Sequence, residues 1–228
     1  MFKIAAHRGG NSWTRIYEAI KKKYDYIELD VHLSSDQYLI VQYSPEIQIN
    51  GEKIYIQNLQ YAKLSEENKK KILLLSDVLA YTQNKIGVVI DIKKGVTFYN
   101  DIGSRVADLV RTIGAIQHTW LISFDHCCLW EAKRIVPEIK IAPMYVARLH
   151  NEDSYWEKLH SDGIEICNDY LEEKTVICAH ERNLKVLGWC TTSIEELRWL
   201  TSLNLDIITI EQEDFYLSYL KELKKNQG

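Results

Sequence analysis

The sequence predicts an α/β fold, a TIM (β/α)8 barrel in a single domain. Two observations favour this fold: the length of 228 residues, and the regular alternation of short apolar segments with segments of helical spacing. A barrel of eight strand-helix units takes roughly 200 to 250 residues, so the chain has the length for one such barrel. We therefore expect one domain over residues 1–228, without a linker or a second domain.

Eight segments have the character of parallel barrel strands. They begin at residues 3, 26, 88, 120, 140, 163, 185 and 206. Between them, apolar residues recur at helical spacing over residues 13–23, 75–84, 99–113, 129–135, 155–160, 172–182 and 194–203, and a further helix is expected after the last strand. A strand followed by a helix, repeated around the whole chain, is the pattern of a TIM barrel.

One stretch departs from the alternation. Residues 38–43 are apolar and follow a polar turn, so we expect them to form a hairpin with the strand that begins at residue 26. Residues 44–72 then form a short surface excursion from the barrel, with a turn at Asn50-Gly51 and a charged stretch over 66–71.

The composition excludes several classes of partner. With 28 basic and 32 acidic residues, the formal net charge of −4 gives no basic surface for nucleic acid or for an anionic membrane. No apolar run has the length that a bilayer requires, so we expect a soluble, unprocessed chain without membrane insertion. Five cysteines without zinc-type spacing predict reduced thiols and a cytoplasmic location. The sequence gives no indication of the oligomeric state.

The segment over residues 26–33 carries the strongest chemical signal. Glu28, Asp30 and His32 alternate along it, so on a strand all three point to one face. Two carboxylates on a core-facing side are costly to bury unless a cation neutralises them, which indicates a hard divalent metal. The alternative is a half-exposed edge strand whose polar face meets water.

Further polar residues lie where the predicted strands end. In a parallel barrel these ends share one mouth, so residues distant in sequence become neighbours. Asp91 and Lys93 alternate there as Glu28 and Asp30 do, and Glu165 is a further strand-end carboxylate. Oxygen ligands favour Mg²⁺ or Ca²⁺ over zinc. Lys93 and Arg8 add positive charge beside the carboxylates, which predicts an anionic substrate with a phosphoryl group.

These motifs resemble the glycerophosphodiester phosphodiesterase family, whose pattern is His-Arg-Gly, then Glu-x-Asp-Val, His-Asp-Pro and Glu-x-Lys. The matching stretches are 6–9, 28–31 and 91–93, and residues 186–189 resemble the late Val-x-x-Trp strand of the family. The resemblance implies one divalent ion, Mg²⁺ or Ca²⁺, held by Glu28, Asp30 and Asp91. It also implies phosphate contacts from Arg8 and Lys93, and an acid/base role for His7.

The chain departs from the family pattern at several positions. Tyr43 stands where the second histidine is usual, followed by Ser44-Pro45 in place of Asp-Pro. Asn11-Ser12 is the remnant of Glu-Asn-Thr without its acidic member, Asp91 replaces Glu, and residues 210–213 replace the late Thr-Asp-x-Pro. Tyrosine is a poor base at neutral pH, so we assign Tyr43 the role of proton donor to the leaving group. His32, on the face of Glu28 and Asp30, is the other candidate, and its alternative role is that of a hydrogen-bonded rim histidine.

The predicted function is therefore a metal-dependent phosphodiesterase. It would cleave a small glycerophosphodiester or related phosphorylated polyol to an alcohol and a phosphomonoester or cyclic phosphate. Trp189, with Tyr43 and Tyr145, would supply apolar walls for the substrate. Two alternatives stay open. One is a catalytically silent barrel that binds metal and a phosphorylated ligand, and the other is a cyclising phosphotransferase or lyase in which a substrate hydroxyl attacks phosphorus.

Overall fold

A computed structural model describes residues 2–150, 153–211 and 219. The strands among these residues, in chain order, are β1 (Lys3–Ala6), β2 (Tyr26–Leu33), β3 (Leu39–Val41), β4 (Glu46–Ile49), β5 (Glu52–Tyr55), β6 (Leu73–Leu74), β7 (Gly87–Ile92), β8 (Thr119–Ser123), β9 (Lys140–Tyr145), β10 (Gly163–Cys167), β11 (Lys185–Thr191) and β12 (Ile207–Ile210). The helices are α1 (Trp13–Lys21), α2 (Glu66–Lys69), α3 (Leu75–Thr82), α4 (Ile102–Ile113), α5 (His126–Ile135), α6 (Asp153–Leu159), α7 (Glu173–Glu181) and α8 (Ile194–Ser202).

Eight of the strands close into a parallel barrel. The sheet runs in the order β1, β12, β11, β10, β9, β8, β7, β2, and the pairing of β1 with β2 closes it. Every neighbouring pair in this ring is parallel. The predicted TIM barrel is confirmed, and each predicted strand start lies within one residue of the observed one.

The predicted helices also lie between the strands, with small differences at their ends. Helix α4 begins at Ile102, three residues later than the apolar spacing suggests, and ends before Gly114, whose φ of 78° suits a glycine. Ser12 caps α1 by accepting a hydrogen bond from the Arg15 amide at 3.3 Å. The helix expected after β12 lies outside the described residues. None of the helices that are described has the length and apolar character to cross a bilayer.

The stretch between β2 and α3 forms two small additions to the barrel. Strand β3 pairs antiparallel with the end of β2, as predicted, and β6 continues on its other edge. Strands β4 and β5 form a separate hairpin, in which Asn50 and Gly51 both have positive φ and make the two-residue turn. This part buries its own apolar cluster, made of Ile40, Ile49, Ile56, Leu59 and Ile72.

The interior of the barrel has an apolar layer beneath a polar one. Tyr26, Val89, Trp120 and Leu187 belong to one buried apolar cluster inside the strands. Because side chains on a strand alternate, the inward positions that follow toward the C-terminal ends are those of Glu28, Asp91, Ile122 and Trp189. The apolar layer closes the barrel below, and polar side chains collect at the C-terminal mouth.

Candidate active site

A cavity of about 280 Å³ opens at the C-terminal ends of the barrel strands. It is lined by His7, Arg8, Glu28, Asp30, Tyr43, Asp91, Lys93, Ile122, Phe124, Met144, Glu165, Trp189, Cys190, Thr209 and Glu211. Eight residues with a predicted site role, namely His7, Arg8, Glu28, Asp30, Tyr43, Asp91, Lys93 and Trp189, therefore line one cavity, although they come from five strands and the segments after them. The roles of the individual residues stay predictions.

Three buried carboxylates form the centre of the site. Glu28, Asp30 and Asp91 each offer a ligand atom within 4.8 Å of the other two. The Arg8 amide donates to Glu28 Oε2 at 2.6 Å. Lys93 Nζ lies 2.9 Å from Asp30 Oδ1 and also pairs with Asp91. The strand register places Asp30 directly beside Asp91, which explains how residues far apart in sequence meet here.

Burial and mutual repulsion disfavour the charged forms of these carboxylates unless further positive charge is present. Burial, with the neighbouring carboxylates of Asp30 and Asp91, raises the pKa of Glu28 well above its ordinary value. Burial also raises the pKa of Asp91 to about 6, although Lys93 opposes the shift. In Lys93, burial disfavours the charge, but the carboxylates of Asp91 and Asp30 outweigh it and raise the pKa.

These residues fit a divalent cation. Asp91 Oδ1 is buried without a hydrogen-bond partner, so an oxygen lone pair is left for a cation. The donor atoms are all carboxylate oxygens, the ligands that Mg²⁺ and Ca²⁺ prefer. A bound cation would also offset the mutual repulsion of the carboxylates.

His7 lies at the edge of this group. Its Nδ1 is 3.0 Å from Glu211 Oε2. A carboxylate only accepts hydrogen bonds, so Nδ1 carries the proton and Nε2 of the neutral ring keeps a free lone pair. Burial lowers the pKa of His7 below its ordinary value, although the Glu211 carboxylate opposes the shift. His7 is thus held as a neutral imidazole that can accept a proton.

Arg8 and Tyr43 form a stacked pair on the other side of the cavity. Arg8 has a φ of 50°, which turns the chain just after β1. Its guanidinium carbon lies 3.5 Å from the centre of the Tyr43 ring. Arg8 Nε is buried and has no hydrogen-bond partner, so it is a donor without an acceptor. Such a donor suits an anionic ligand.

Trp189 forms part of the apolar wall. Its ring packs edge-on against Phe124, with the ring centres 5.8 Å apart, and its Nε1 is buried without a partner. Ile122 and Met144 belong to the same wall. Tyr145, for which the sequence also suggested a wall position, does not line this cavity and instead packs against His126.

His32 does not line the cavity of about 280 Å³. Its Nδ1 is 3.0 Å from the Tyr99 hydroxyl and its Nε2 is 3.4 Å from the Tyr43 carbonyl oxygen. Burial lowers its pKa to about 4, so the ring is neutral at physiological pH. Both ring nitrogens are engaged within the protein, which supports the hydrogen-bonded rim histidine among the two roles considered for it.

Three residues have a place in the site that sequence patterns did not assign. Asn11 clamps Asp30, because its Nδ2 donates to Asp30 Oδ2 at 2.6 Å and its Oδ1 accepts from the Asp30 amide at 3.1 Å. Glu211 orients His7. Glu165 is buried, its Oε2 has no partner, and burial together with the Asp91 charge raises its pKa well above the ordinary value. The position of Glu165 at a strand end was the available signal.

The Glycerophosphoryl diester phosphodiesterase family model matches residues 5–213. The chain belongs to this family of hydrolases. A glycerophosphodiester phosphodiesterase of Bacillus altitudinis is 22% identical over an alignment that covers 98% of this chain and all of that protein. A second relative of the same name, from Caldanaerobacter subterraneus subsp. tengcongensis, is 24% identical over 62% of this chain and 66% of its own length.

Solved structures of family members have the same fold. A glycerophosphodiester phosphodiesterase from Agrobacterium tumefaciens superposes with a TM-score of 0.77 at 21% identity, over 96% of this chain and all of that one. An Oleispira antarctica phosphodiesterase, solved in complex with the product sn-glycerol-3-phosphate, superposes with a TM-score of 0.76 at 18% identity, over 91% of this chain and 92% of that one. At these identities the likeness concerns the fold.

Proposed function

We propose that this chain is a divalent-metal-dependent phosphodiesterase that cleaves a small glycerophosphodiester, or a related phosphorylated polyol, to a phosphomonoester and an alcohol. The observation that carries the proposal is the buried group of Glu28, Asp30 and Asp91 beside the cations of Arg8 and Lys93. Family membership and the product-bound Oleispira relative support the substrate class.

The cavity volume supports a small substrate. A space of about 280 Å³ suits a phosphoryl group with a glycerol-sized substituent, at the lower end of ligand pockets in general. Trp189 and Met144 give this space an apolar wall. Arg8 Nε and Trp189 Nε1 are two buried donors without partners, and they would bind substrate oxygens.

Glu28, Asp30 and Asp91 would hold one Mg²⁺ or Ca²⁺ ion. When bound, the ion supplies positive charge that stabilises the phosphoryl oxygens in the transition state. Lys93 contributes to the same charge balance, because its ammonium bridges Asp30 and Asp91. Asn11 keeps the Asp30 carboxylate in a fixed orientation.

His7 is proposed as the general base. With Nδ1 donating to Glu211, its Nε2 would take the proton of the attacking hydroxyl as the new oxygen-phosphorus bond forms. The attacking hydroxyl is that of water, which gives a monoester. The bond from phosphorus to the leaving oxygen then breaks, and the Tyr43 hydroxyl would supply the proton that this oxygen takes up.

Phosphorus NMR of purified protein with a panel of glycerophosphodiesters tests the proposal. We expect turnover with Mg²⁺ or Ca²⁺ that a chelator abolishes, and a phosphomonoester as product. His7→Ala should lower kcat by about 10² to 10⁴, the usual contribution of a general acid or base. His118→Ala, which removes an exposed histidine outside the site, is the matched control and should keep wild-type turnover.

Other results would contradict particular parts of the proposal. If the product were a cyclic phosphate, the nucleophile would be a hydroxyl of the substrate and not water. Metal binding in calorimetry without turnover of any ester would favour a silent binding protein. Unchanged metal affinity in a Glu28→Gln/Asp30→Asn double variant would overturn the ligand assignment.

A further inference from the structure

A second cavity, of about 560 Å³, lies directly beside the candidate active site. The two cavities share Tyr43, Asp91, Lys93 and Phe124. We call the second cavity the outer pocket; its remaining lining residues are His32, Ser44, Pro45, Ile92, Lys94, Gly95, Phe98, Ser123 and Asp125. The outer pocket therefore adjoins any group that is bound at the carboxylates. The function proposed above assigns no part of the substrate to it.

The outer pocket presents aromatic surface to solvent. Phe98 is 63% exposed, Tyr43 52% and Phe124 50%. Pro45 lies in the same wall. Exposed apolar residues that cluster in a concave surface commonly mark a binding site, because burying them under a ligand is favourable.

Three polar residues of the outer pocket, Ser123, Asp125 and His32, already have partners within the protein. Ser123 Oγ donates to the Ile92 carbonyl at 2.6 Å and accepts from the Asp125 amide at 3.0 Å. Asp125 Oδ1 accepts from the Cys127 amide at 3.1 Å, at the start of α5. His32 is bonded through both ring nitrogens. A polyol in this pocket would lose hydrogen bonds to water, and the side chains of Ser123 and His32 already have internal partners.

The charges around the aromatic rings disfavour a cationic ligand. Lys94 Nζ lies 5.5 Å from the centre of the Phe98 ring. The Tyr43 ring has the Arg8 guanidinium at 3.5 Å and Lys93 Nζ at 5.4 Å. The wall carboxylate of Asp91 is paired with Lys93. A quaternary ammonium seeks aromatic faces that are free of other cations, and the rings of Phe98 and Tyr43 already have cations beside them.

We propose that the outer pocket binds the leaving alcohol of the substrate, and that it selects an uncharged, apolar alcohol over a cationic or polyhydroxylated one. This inference rests on the function proposed above and narrows its substrate class. The glycerol phosphate half of the diester occupies the inner cavity at the carboxylates. The bond to be broken then lies between the two cavities, beside Tyr43 and Lys93, which line both.

The test compares three sn-glycerol-3-phosphate diesters that differ only in the leaving alcohol: hexanol, choline and glycerol. We expect kcat/KM to be at least about tenfold higher for the hexyl ester than for the other two, since each buried methylene adds favourable transfer free energy. Equal or better turnover of the choline or glycerol ester would overturn the proposal.

Phe98 is the residue to change, because it lines the outer pocket and not the inner cavity. Phe98→Ala should reduce the ratio of kcat/KM for the hexyl ester to that for the glycerol ester by about tenfold, in the range expected of an apolar pocket contact. Val96→Ala is the matched control, since Val96 is an exposed apolar residue of the same loop that does not line the pocket. An unchanged ratio in Phe98→Ala would contradict the assignment.

Binding measurements separate this proposal from the catalytic one. Calorimetry with the His7→Ala protein and Mg²⁺ gives the affinity of each ester without turnover. Tighter binding of the hexyl ester, lost in the His7→Ala/Phe98→Ala double variant, would support the outer pocket even if the wild-type protein hydrolyses none of the esters. Equal affinities for all three esters would overturn it, whatever the turnover.

Discussion

The guanidinium carbon of Arg8 lies 3.5 Å from the centre of the Tyr43 ring, so these two residues form one stacked unit at the mouth of the barrel. Arg8 follows β1 and Tyr43 follows β3, and their contact joins the start of the barrel to the addition that extends β2. Tyr43 thereby borders both the inner cavity and the outer pocket. The ring of Tyr43 stacks on Arg8, whereas only its hydroxyl could donate a proton.

Tyr43→Phe separates these two roles. The phenylalanine ring keeps the stack on Arg8 and removes only the hydroxyl. If the hydroxyl protonates the leaving group, kcat should fall by about 10² or more, within the usual contribution of a general acid, while KM changes little. Steady-state kinetics on a confirmed ester measures both constants. Tyr55→Phe, on the exposed hairpin of β4 and β5, is the control, and wild-type kcat in Tyr43→Phe would exclude the acid role.

The Tyr43→His variant tests whether the absence of the second family histidine limits the hydrolytic rate of the natural protein. Imidazole titrates near neutral pH and donates a proton more readily than a phenol does. We expect hydrolysis of glycerophosphodiesters to rise by about tenfold or more, a modest share of what a matched general acid contributes. Initial rates at pH 7 provide the measurement. A slower Tyr43→His enzyme would indicate that the site is built around the tyrosine ring itself.

Much of the fold was predictable from sequence because the barrel repeats one unit, a strand followed by a helix. Strands buried on both faces, such as β7, appear as unbroken apolar runs, and the helices between them have their own spacing. The hairpin of β4 and β5 was visible only through Asn50-Gly51, whose residue types favour the positive φ of its turn. The later start of α4 was not visible, because Tyr99 continues the apolar spacing while its hydroxyl instead contacts His32.

The site residues that lie on strands could be predicted from the alternation of side chains along a strand. The residues that lie on loops were harder to predict. Glu28, Asp30 and Asp91 meet because alternation and register fix them. Glu211 follows the last barrel strand, and no spacing rule relates it to His7, which is 204 residues earlier in the chain. The outer pocket depends on how the loop that carries Phe98 is placed beside Phe124, a relation that residue patterns do not encode.

Asn11→Ala should weaken metal binding without removing a ligand. Asn11 fixes Asp30 through two hydrogen bonds, and loss of such an outer partner typically costs 10-fold to 100-fold in affinity, so we expect a decrease of about that size. Calorimetric titration with Mg²⁺ and with Ca²⁺ measures it. Gln117→Ala, which removes an exposed amide away from the mouth, should leave the affinity as it is. Wild-type affinity in Asn11→Ala would argue against Asp30 as a ligand.

The acid limb of kcat/KM should lie below pH 6.5 if His7 is the base. Burial lowers the pKa of His7, so the ring stays neutral and able to accept a proton to lower pH than an ordinary histidine. The Glu211 carboxylate raises this pKa, so Glu211→Gln should move the limb further to lower pH. The glutamine can still accept from Nδ1. A limb that does not move, with Glu195→Gln as control, would indicate a different base.

The buried ring of His32 should contribute a loss of stability in weak acid. Burial lowers its folded-state pKa to about 4, whereas in the unfolded chain it is near 6.5. Between these values the unfolded state binds more protons, so the free energy of unfolding falls as the pH falls from 6.5 towards 4. For this one group, the expected loss between pH 7 and pH 5 is about 2 kcal/mol.

His32→Gln isolates this effect, because glutamine keeps a polar side chain at the position and does not titrate. Urea unfolding of the wild type and the variant at pH 7 and pH 5 gives four free energies of unfolding. From pH 7 to pH 5, the free energy of the wild type should fall by about 2 kcal/mol relative to that of the variant. The raised pKa values of Glu28 and Glu165 act in the opposite direction, since those buried carboxyls bind protons more readily in the folded state. They are common to both proteins and cancel in the comparison. The same pH dependence in wild type and His32→Gln would show that the ring titrates alike in the folded and unfolded states, against a role as a buried, doubly hydrogen-bonded rim histidine.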